Sequence, residues 1–325
     1  MTPARVPAAT PKHEYAFTVF TGTRNRAHTL DRPFQSLQSQ TFRDFEWVIV
    51  DNGSTDGTAE LVERFRAEAD FPIRYQWQED AGKHASLNRA VGMARGELFV
   101  ILDSDDGCIP TALERLRYRW GTIPAEQRQR FAGATGLCLD EQGRLVGTQF
   151  PSDPIDSDSR EMWYRHKVKG EKWGFHRTEV LREHPFPETP GYRGLIPPAL
   201  VWSEIARSYR TRYFNEALHI YWQDQAVSLS RPASRIADAY GAMMESESIL
   251  NNDMEFFVDA PKDFTMLSIK FARSAFHLGR GIRDQWTAMA DRRARALWVA
   301  TLPAGWLAYR FGQTRLVHRI RLLLG

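Results

Sequence analysis

The stretch FVILDSDDGC, residues 99–108, carries three carboxylates directly after four apolar residues. Two aspartates at i and i+2, or at i and i+3, on a turning loop can share one cation, and Asp103, Asp105 and Asp106 have this spacing. Mg²⁺ and Mn²⁺ prefer carboxylate oxygens and usually complete their shell with substrate phosphates. The stretch therefore favours a Mg²⁺ or Mn²⁺ site for a nucleotide diphosphate, where the metal would help the diphosphate to leave.

Three other interpretations of these carboxylates are weaker. An EF-hand loop needs Gly at its sixth position and a preceding helix, whereas Cys108 stands there and the preceding run is typical of a strand. A phosphatase of the haloacid-dehalogenase type needs Thr or Val where this chain has Gly107, and its motif lies on the first strand. Any one of the aspartates could instead cap the helix predicted from Thr111.

The carboxylates follow the fourth of four predicted strands. YAFTVFT, FEWVIVD, IRYQWQ and ELFVILD are typical strands, and LDRPFQSLQSQ, Thr58–Ala69 and HASLNRAVGMA are the helices between them. This alternation predicts crossover units and a mostly parallel sheet flanked by helices. Ligands bind beyond the carboxyl ends of such strands. We therefore expect Asp51, which ends the second strand, to share an edge with the carboxylates.

The pattern loosens after Trp120. FAGATGLCLDEQGRLVG predicts a strand, a turn at Gln142-Gly143 and a short return strand. Residues 151–198 are rich in Pro, Gly, Trp and charge, which predicts a loop-rich region that shapes an acceptor site or lid. A helix over Leu200–Tyr209 and a strand pair over Arg212–Tyr221 complete the expected elements.

Two long segments together resemble the family 2 inverting glycosyltransferases of the GT-A fold. They read TVFTGTRNRAHTLDRPFQSLQSQTFRDFEWVIVDNGSTDGT and GKHASLNRAVGMARGELFVILDSDD. The resemblance is strong over Tyr15–Trp120 and looser to Tyr221, and it implies transfer of a sugar from a nucleotide diphosphate to an acceptor hydroxyl.

The resemblance also implies roles for individual residues. The loop after the first strand would hold the nucleotide through Thr21, Gly22, Thr23 and Arg24. Asp51 and Asn52 would bind the base and ribose. Asn52 departs from the family's usual Asp, but an amide both donates and accepts hydrogen bonds and can read a uracil edge.

The phosphates and the metal would be bound at two further segments. Lys83 stands where the family has a basic residue that faces the nucleotide, and His84 beside it is more simply a helix-start histidine. The Asp-x-Asp function falls on Asp103, Ser104 and Asp105, with Asp106 adjacent.

The general base is the weakest point of the resemblance. Inverting transfer needs a base that deprotonates the acceptor hydroxyl, usually Asp or Glu, and the family has one near the start of a late helix. This chain has Pro197 and Pro198 there. The nearest candidates are Glu204, which is equally a solvated helix carboxylate, and Glu188.

The composition excludes several classes of protein. The chain has 325 residues, a net charge of +3, 42% hydrophobic and 26% charged residues, which is typical of a soluble globular protein. Its two cysteines have no zinc spacing and indicate a reducing compartment. The first 14 residues lack the apolar run of a signal peptide and predict a disordered tail. No run reaches the roughly 18–20 apolar residues of a membrane span.

The charge is concentrated at the carboxyl end. Residues 265–325 hold eleven Lys or Arg and two Asp, a local charge of +9. Within them ALWVATLPAGWLAYRF is apolar, interrupted by Pro303, and places Trp298, Trp306 and Tyr309 beside arginines. Helices that lie in a membrane interface have this composition. The alternative is a helix that packs its apolar face on the protein and exposes a solvated basic face.

These observations predict a tail over residues 1–14, a GT-A domain over 15–228 and a helical, basic region over 229–325. The expected function is glycosyl transfer from a nucleotide diphosphate sugar, with UDP favoured, to a glycan or lipid-linked acceptor of surface polysaccharide or glycolipid synthesis. The expected location is cytoplasmic, or peripheral on the cytoplasmic face of a membrane. Two rivals stay open: a non-catalytic sugar-nucleotide-binding or scaffold protein, and a sugar-nucleotide pyrophosphorylase. A nucleic-acid partner is disfavoured because the basic charge is confined to the carboxyl-terminal region.

Overall fold

The computed structural model describes residues 13–222 and 238–311. All but two residues of the predicted N-terminal tail lie outside these ranges. The strands are β1 Tyr15–Thr23, β2 Phe45–Asn52, β3 Ile73–Gln78, β4 Gly96–Ile101, β5 Gly107–Cys108, β6 Phe131–Asp140, β7 Ile155–Ser157, β8 Lys172–Arg177 and β9 Arg210–Tyr221. The α-helices are α1 Asp31–Gln38, α2 Thr58–Glu68, α3 Lys83–Met93, α4 Ala112–Gly121, α5 Ser159–Tyr164, α6 Thr178–Glu183, α7 Ala199–Ala206, α8 Ala239–Asn252, α9 Pro261–His277, α10 Ile282–Ala288 and α11 Arg292–Phe311.

The nine strands form one mixed sheet. Its order is β3-β2-β1-β4-β8-β6-β9-β5, and β7 pairs with β9. The four strands that the sequence predicts, β1 to β4, pair in parallel, whereas β8 runs antiparallel to both β4 and β6. The parallel half therefore brings the carboxyl ends of β2, β1 and β4 to one edge, as the alternation of strands and helices predicts.

Buried side chains alternate between the two faces of the parallel half. Val19 and Trp47 belong to one hydrophobic cluster and their neighbours Phe20 and Val48 to another. This is the period of two that a strand imposes when both faces are covered. Helices α1, α2 and α4 contribute to the first cluster, and α3, α6 and α7 to the second. The sheet edge with the carboxylates is thereby held between two packed layers.

The segment predicted to be loop-rich contains a central strand. Within residues 151–198 the structure has β7, α5, β8 and α6, and β8 lies between β4 and β6. Two backbones approach closely there, since a Cβ on Gly133 would lie 1.8 Å from the carbonyl oxygen of Phe175. The Trp173 indole also donates to the carbonyl of Ile101 at 2.6 Å. The beginning of β8 is therefore fixed beside the end of β4.

Three smaller expectations are wrong in detail. The return strand after Gln142-Gly143 is reduced to one isolated bridge between Leu139 and Leu145. Residues 212–221 belong to the single long strand β9, because pairing with β6 over its length leaves no turn. The helix predicted from Leu200 to Tyr209 is α7 and ends at Ala206.

The last four helices enclose a third hydrophobic cluster. It contains Phe264, Phe271 and Trp298 and also takes in Tyr164 of α5. Helix α11 continues through Pro303, which interrupts its apolar sequence but not the helix. Pro303 is exposed, so water can bind the carbonyl that proline leaves without a donor. Among residues 13–222 and 238–311, no helix is both long and apolar enough to cross a membrane.

Candidate functional site

Polar side chains from three adjacent strands meet at one edge of the sheet. Asp51 and Asn52 end β2, Thr23 ends β1, and Asp103 follows β4. Helix α3 begins beside them with Lys83. Since β2, β1 and β4 are neighbours and parallel, their carboxyl ends form a continuous row of groups that a ligand can contact.

The end of β2 is shaped by hydrogen bonds of its two polar residues. Asp51 accepts from the backbone of Ser54 at 2.8 Å and from the hydroxyl of Tyr75 at 2.6 Å. The Asn52 amide donates to Asp80 at 2.6 Å and accepts from Gln78 and from the backbone of Ala81, each at 3.0 Å. Asn52 therefore holds the loop before α3 in place, and only part of its hydrogen-bonding capacity is left for a base.

The four residues predicted after β1 differ in accessibility. Thr21 is fully buried; its hydroxyl donates to the Leu102 carbonyl and accepts from the Trp47 indole, so it has a structural function. Gly22 is half-buried, and Arg24 pairs with Asp80. The Thr23 hydroxyl is buried and has no hydrogen-bond partner in the described part of the chain. Unpaired polar groups are costly to bury, so Thr23 is a candidate for contact with a bound group.

Lys83 and Asp103 form a close ion pair in the row. The ammonium lies 2.8 and 2.9 Å from the two carboxylate oxygens of Asp103. Partial burial disfavours both charges, but each partner outweighs it: the pKa of Asp103 is lowered and the pKa of Lys83 is raised. Both side chains are two-fifths accessible, so the pair is open to a ligand from solvent.

The next two carboxylates diverge from Asp103. Asp105 lies 3.5 Å from the Arg26 guanidinium, and its pKa is raised by burial and by the charge of Asp103. Asp106 points inward, where it accepts from the backbone of Trp222 at 3.0 Å and lies 3.4 Å from His219. Burial and Asp103 raise the pKa of Asp106 to about 8, and burial lowers the pKa of His219 to about 4. Ser104 is buried in the same turn.

The residues fit a cation that is shared with a ligand and not one enclosed by protein alone. Within the described ranges no three His, Cys, Asp or Glu side chains converge to hold a metal ion. Two carboxylates plus substrate phosphates are, however, the usual environment of protein-bound Mg²⁺. Burial and the charge of Asp103 raise the pKa of Asp105 and of Asp106, and a bound cation would stabilise their charged forms. The buried Nδ1 of His219 has no partner among the described residues. Asp103 and Asp105 are the accessible pair for such an ion.

The two candidate bases lie apart from this cluster. Glu204 is 54% exposed and pairs with His184 at 3.3 Å. Glu188 accepts from the Asn88 amide at 2.7 Å and lines two surface cavities of about 580 and 260 Å³ beside α3. Among the described residues, no hydrogen bond or ion pair joins either carboxylate to Asp103 or Asp105.

Three residues that the sequence analysis did not single out belong to the site. Asp80 accepts from Arg24 and Asn52, and it could have been found because it follows β3 at the same edge. His219 comes from β9, whose position beside β6 the sequence pattern does not predict. Glu171 precedes β8, and burial and the charge of Asp103 raise its pKa; the alternation in KWGFHR was the signal for that strand.

The family model described as Glycosyl transferase family 2 matches residues 18–127, which contain the whole row. A Campylobacter jejuni protein named GalNAc(5)-diNAcBac-PP-undecaprenol beta-1,3-glucosyltransferase is 24% identical over 81% of this chain and 82% of its own length. The cholesterol galactosyltransferase of Borreliella burgdorferi is 34% identical, over 33% of this chain and 30% of its own length.

Solved structures resemble the chain over almost its full length. S. aureus TarS 1-349 in complex with UDP-GlcNAc has a TM-score of 0.60 and 19% identity, and covers 91% of this chain and 92% of its own. The mannosyltransferase PcManGT of Pyrobaculum calidifontis, in complex with GDP-Man and Mn2+, has a TM-score of 0.50, with 94% and 90% covered. These likenesses confirm the predicted GT-A fold.

Proposed function

We propose that this chain, whose residues 18–127 match the family model described as Glycosyl transferase family 2, transfers a sugar from a nucleotide diphosphate donor to an acceptor hydroxyl with inversion. The observation that carries the proposal is the row at the carboxyl ends of β2, β1 and β4. It presents Asp51 at one end and the Lys83–Asp103 pair at the other. A nucleoside diphosphate has the same order of groups, with a base and ribose at one end and phosphates at the other.

UDP is the favoured nucleotide. The structure of TarS, which is the more similar of the two solved structures, is a complex with UDP-GlcNAc. In this chain the ribose would bind near Asp51, whose carboxylate the Tyr75 hydroxyl orients. The remaining donor hydrogen of the Asn52 amide and nearby backbone would contact the base. The Lys83 ammonium, which pairs with Asp103 in the structure, would also bind the diphosphate.

A divalent cation, Mg²⁺ or Mn²⁺, would neutralise the departing diphosphate when bound. Asp103 and Asp105 would hold it. Asp106, which points inward and contacts His219, would stabilise the conformation of the turn. The Mn2+ in the complex of PcManGT supports a metal of this class. Lys83 would compensate the charge of Asp103 until donor and metal arrive together, which would favour binding of the two as one unit.

The acceptor we propose is a lipid-linked or membrane-borne glycan. The Campylobacter relative is named for glucosyl transfer to a PP-undecaprenol-linked acceptor. The outer face of α11 supports the same class: Val299, Trp306, Leu307 and Phe311 are exposed there, while Trp298 on the opposite face is buried in the third cluster. Exposed apolar side chains on one helix face are unusual on a soluble surface.

The charge of this region suits an anionic surface. Arg292, Arg293 and Arg310 are exposed at the two ends of α11. Aromatic and aliphatic residues flanked by arginines bind the interface of anionic bilayers. We propose that residues 15–228 carry the transferase chemistry and that residues 229–325 hold the enzyme peripherally on the cytoplasmic face of a membrane.

The two rival functions receive less support. The relatives reported above are named as glycosyltransferases and not as pyrophosphorylases. The absence of a carboxylate at Pro198 would favour a non-catalytic binding protein. Other carboxylates, Asp80 and Glu171, however lie at the same edge of the sheet.

The experiment that tests the proposal is an assay of UDP release with Mn²⁺ and a panel of UDP-sugars, with and without a polyprenyl-diphosphate-linked glycan. We expect release from one sugar donor that increases with acceptor, and a product of inverted anomeric configuration by NMR. Release of pyrophosphate from a nucleoside triphosphate, or binding without release for every donor and acceptor, would contradict the proposal.

A further inference from the structure

The position where a general base is expected has none, so another carboxylate must be considered. Helix α7 begins after Pro197 and Pro198, and Glu204 in its second turn is paired with His184 and largely exposed. Glu188 is bound to Asn88 beside α3, on the nucleoside side of the row. A base for inverting transfer must face the sugar from the side opposite to the diphosphate.

The order of the strands tells which side that is. Along the sheet edge, β2 carries the nucleoside groups and β4 the diphosphate groups, and the next strand is β8. A donor laid out in this order extends its sugar past Asp103 toward β8. Because β8 is antiparallel to β4, the beginning of β8 and not its end lies at this edge.

The register brings Glu171 to the level of the carboxylate turn. Leu98 pairs with Arg177 and Val100 with Phe175. Glu171 directly precedes β8 and Asp103 follows β4 by two residues, so both lie at the same edge of the sheet, where partial burial and the charge of Asp103 raise the pKa of Glu171. The indole of Trp173 bonded to Ile101 keeps the two strands together at this level.

The backbone at Glu171 is fixed while its carboxylate is available. The Lys172 ammonium donates to the carbonyls of Lys169 at 2.6 Å and Glu171 at 3.1 Å, which closes the turn. The turn also packs on Gly147, with the backbone of Thr148 donating to Lys169 at 3.0 Å. The Glu171 side chain is exposed and, among the described residues, its carboxylate has no hydrogen-bond or ion-pair partner. It is therefore free to accept a proton.

We infer that Glu171 is the general base of the proposed transfer, a role that rests on the proposed function. A Glu171 carboxylate oxygen takes the proton of the acceptor hydroxyl, and the acceptor oxygen forms a bond to the anomeric carbon of the sugar. The bond from that carbon to the diphosphate oxygen breaks, and its electron pair leaves with the nucleoside diphosphate. Base and leaving group thereby stand on opposite sides of the sugar, as inversion requires.

The test compares Glu171→Gln with the wild type, using the UDP-sugar that the wild type hydrolyses fastest and water as acceptor. Removal of a general base costs about 10²- to 10⁴-fold in rate, so kcat should fall by this factor while the affinity for UDP, measured by calorimetry, stays within about twofold. Glu171→Asp should recover part of the rate. The matched control is Glu141→Gln, which changes an exposed carboxylate on the turn after β6 and should leave kcat unchanged.

Azide separates a base from a residue that only supports the structure. Azide is an anion that attacks without losing a proton, so it should restore UDP release in Glu171→Gln and form a glycosyl azide. A variant that keeps its kcat within about threefold, that loses UDP affinity, or that azide fails to rescue would overturn the inference. Absence of any turnover by the wild type would instead overturn the proposed function on which it rests.

Discussion

At the scale of single residues, the Lys83–Asp103 pair sets the charge of the site. Removing the ammonium in Lys83→Gln should weaken UDP binding at least tenfold, because a hydrogen bond to a charged group contributes about 1.5–3 kcal/mol and about 1.4 kcal/mol is a factor of ten. Calorimetry with UDP and Mn²⁺ measures this. Lys262→Gln, which changes an exposed lysine at the start of α9, is the control. Equal affinities of the two variants would exclude Lys83 from phosphate binding.

The residues of the site could be predicted to different degrees. Asp51, Lys83 and Asp103 stand in local motifs that follow predicted strands, and the structure brings them to one edge. The function of Thr21 as a buried structural hydroxyl is invisible in the sequence, since its partners are Trp47 of β2 and Leu102, which directly follows β4. His219 was missed for the same reason.

At the scale of elements, β8 is the strand on which the position of Glu171 depends, and it carries a partly buried imidazole. His176 stacks on Trp202 with ring centroids 4.5 Å apart, and burial lowers its pKa from 6.5 to about 4. In the unfolded chain the imidazole is therefore protonated below about pH 6.5, whereas in the folded protein it is protonated only below about pH 4. Stability due to the neutral ring is complete above pH 6.5 and is lost as the pH falls toward 4.

Replacing this histidine should remove that part of the pH dependence. From pH 7 to pH 5 the wild type should lose about 2 kcal/mol more unfolding free energy than His176→Phe, which keeps the stacked ring without a titrating group. Urea unfolding at the two pH values measures the difference, and the contribution of His219 cancels between the two proteins. Parallel losses would show that His176 is protonated without penalty in the folded state.

The elements themselves were predictable where their patterns are long. The strands β1 to β4 have clear apolar runs, and the helices between them have amphipathic patterns. The strand β8 has only six residues and includes Gly174, and its neighbours in the sheet are distant in sequence. Such pairing depends on the close approach of backbones at Gly133, which no local pattern reveals.

At the scale of the whole molecule, the outer face of α11 distinguishes membrane binding from simple packing. The two aromatic residues differ: Trp298 packs in the core with Gln285 as its partner, as the packing alternative predicts, whereas Trp306 is exposed and available to a membrane surface. Residues 312–325 lie outside the described ranges. The excess of positive charge at this end of the chain was plain from the sequence. Which of the two tryptophans faces outward could not be predicted, because it depends on how α11 packs against the other helices.

The double substitution Trp306→Gln and Leu307→Gln should weaken binding to vesicles that contain anionic lipid at least tenfold, because both apolar anchors are lost. Binding of the wild type should also fall with added salt and on neutral vesicles. Vesicle flotation measures both effects. Trp163→Gln on α5 is the matched control, since Trp163 is 45% exposed and Trp306 is 46% exposed. Equal flotation of the double variant and the wild type would leave α11 without a membrane role.

The donor site at the carboxyl ends of β2, β1 and β4 is tested most directly by calorimetric titration of UDP, GDP and dTDP, each with and without Mn²⁺, into the wild type and Asp105→Ala. We expect metal-dependent binding of UDP that Asp105→Ala loses, with GDP and dTDP binding more weakly. Absence of binding for all three nucleotides under both conditions, or binding that neither Mn²⁺ nor the substitution changes, would contradict a donor site at this edge of the sheet.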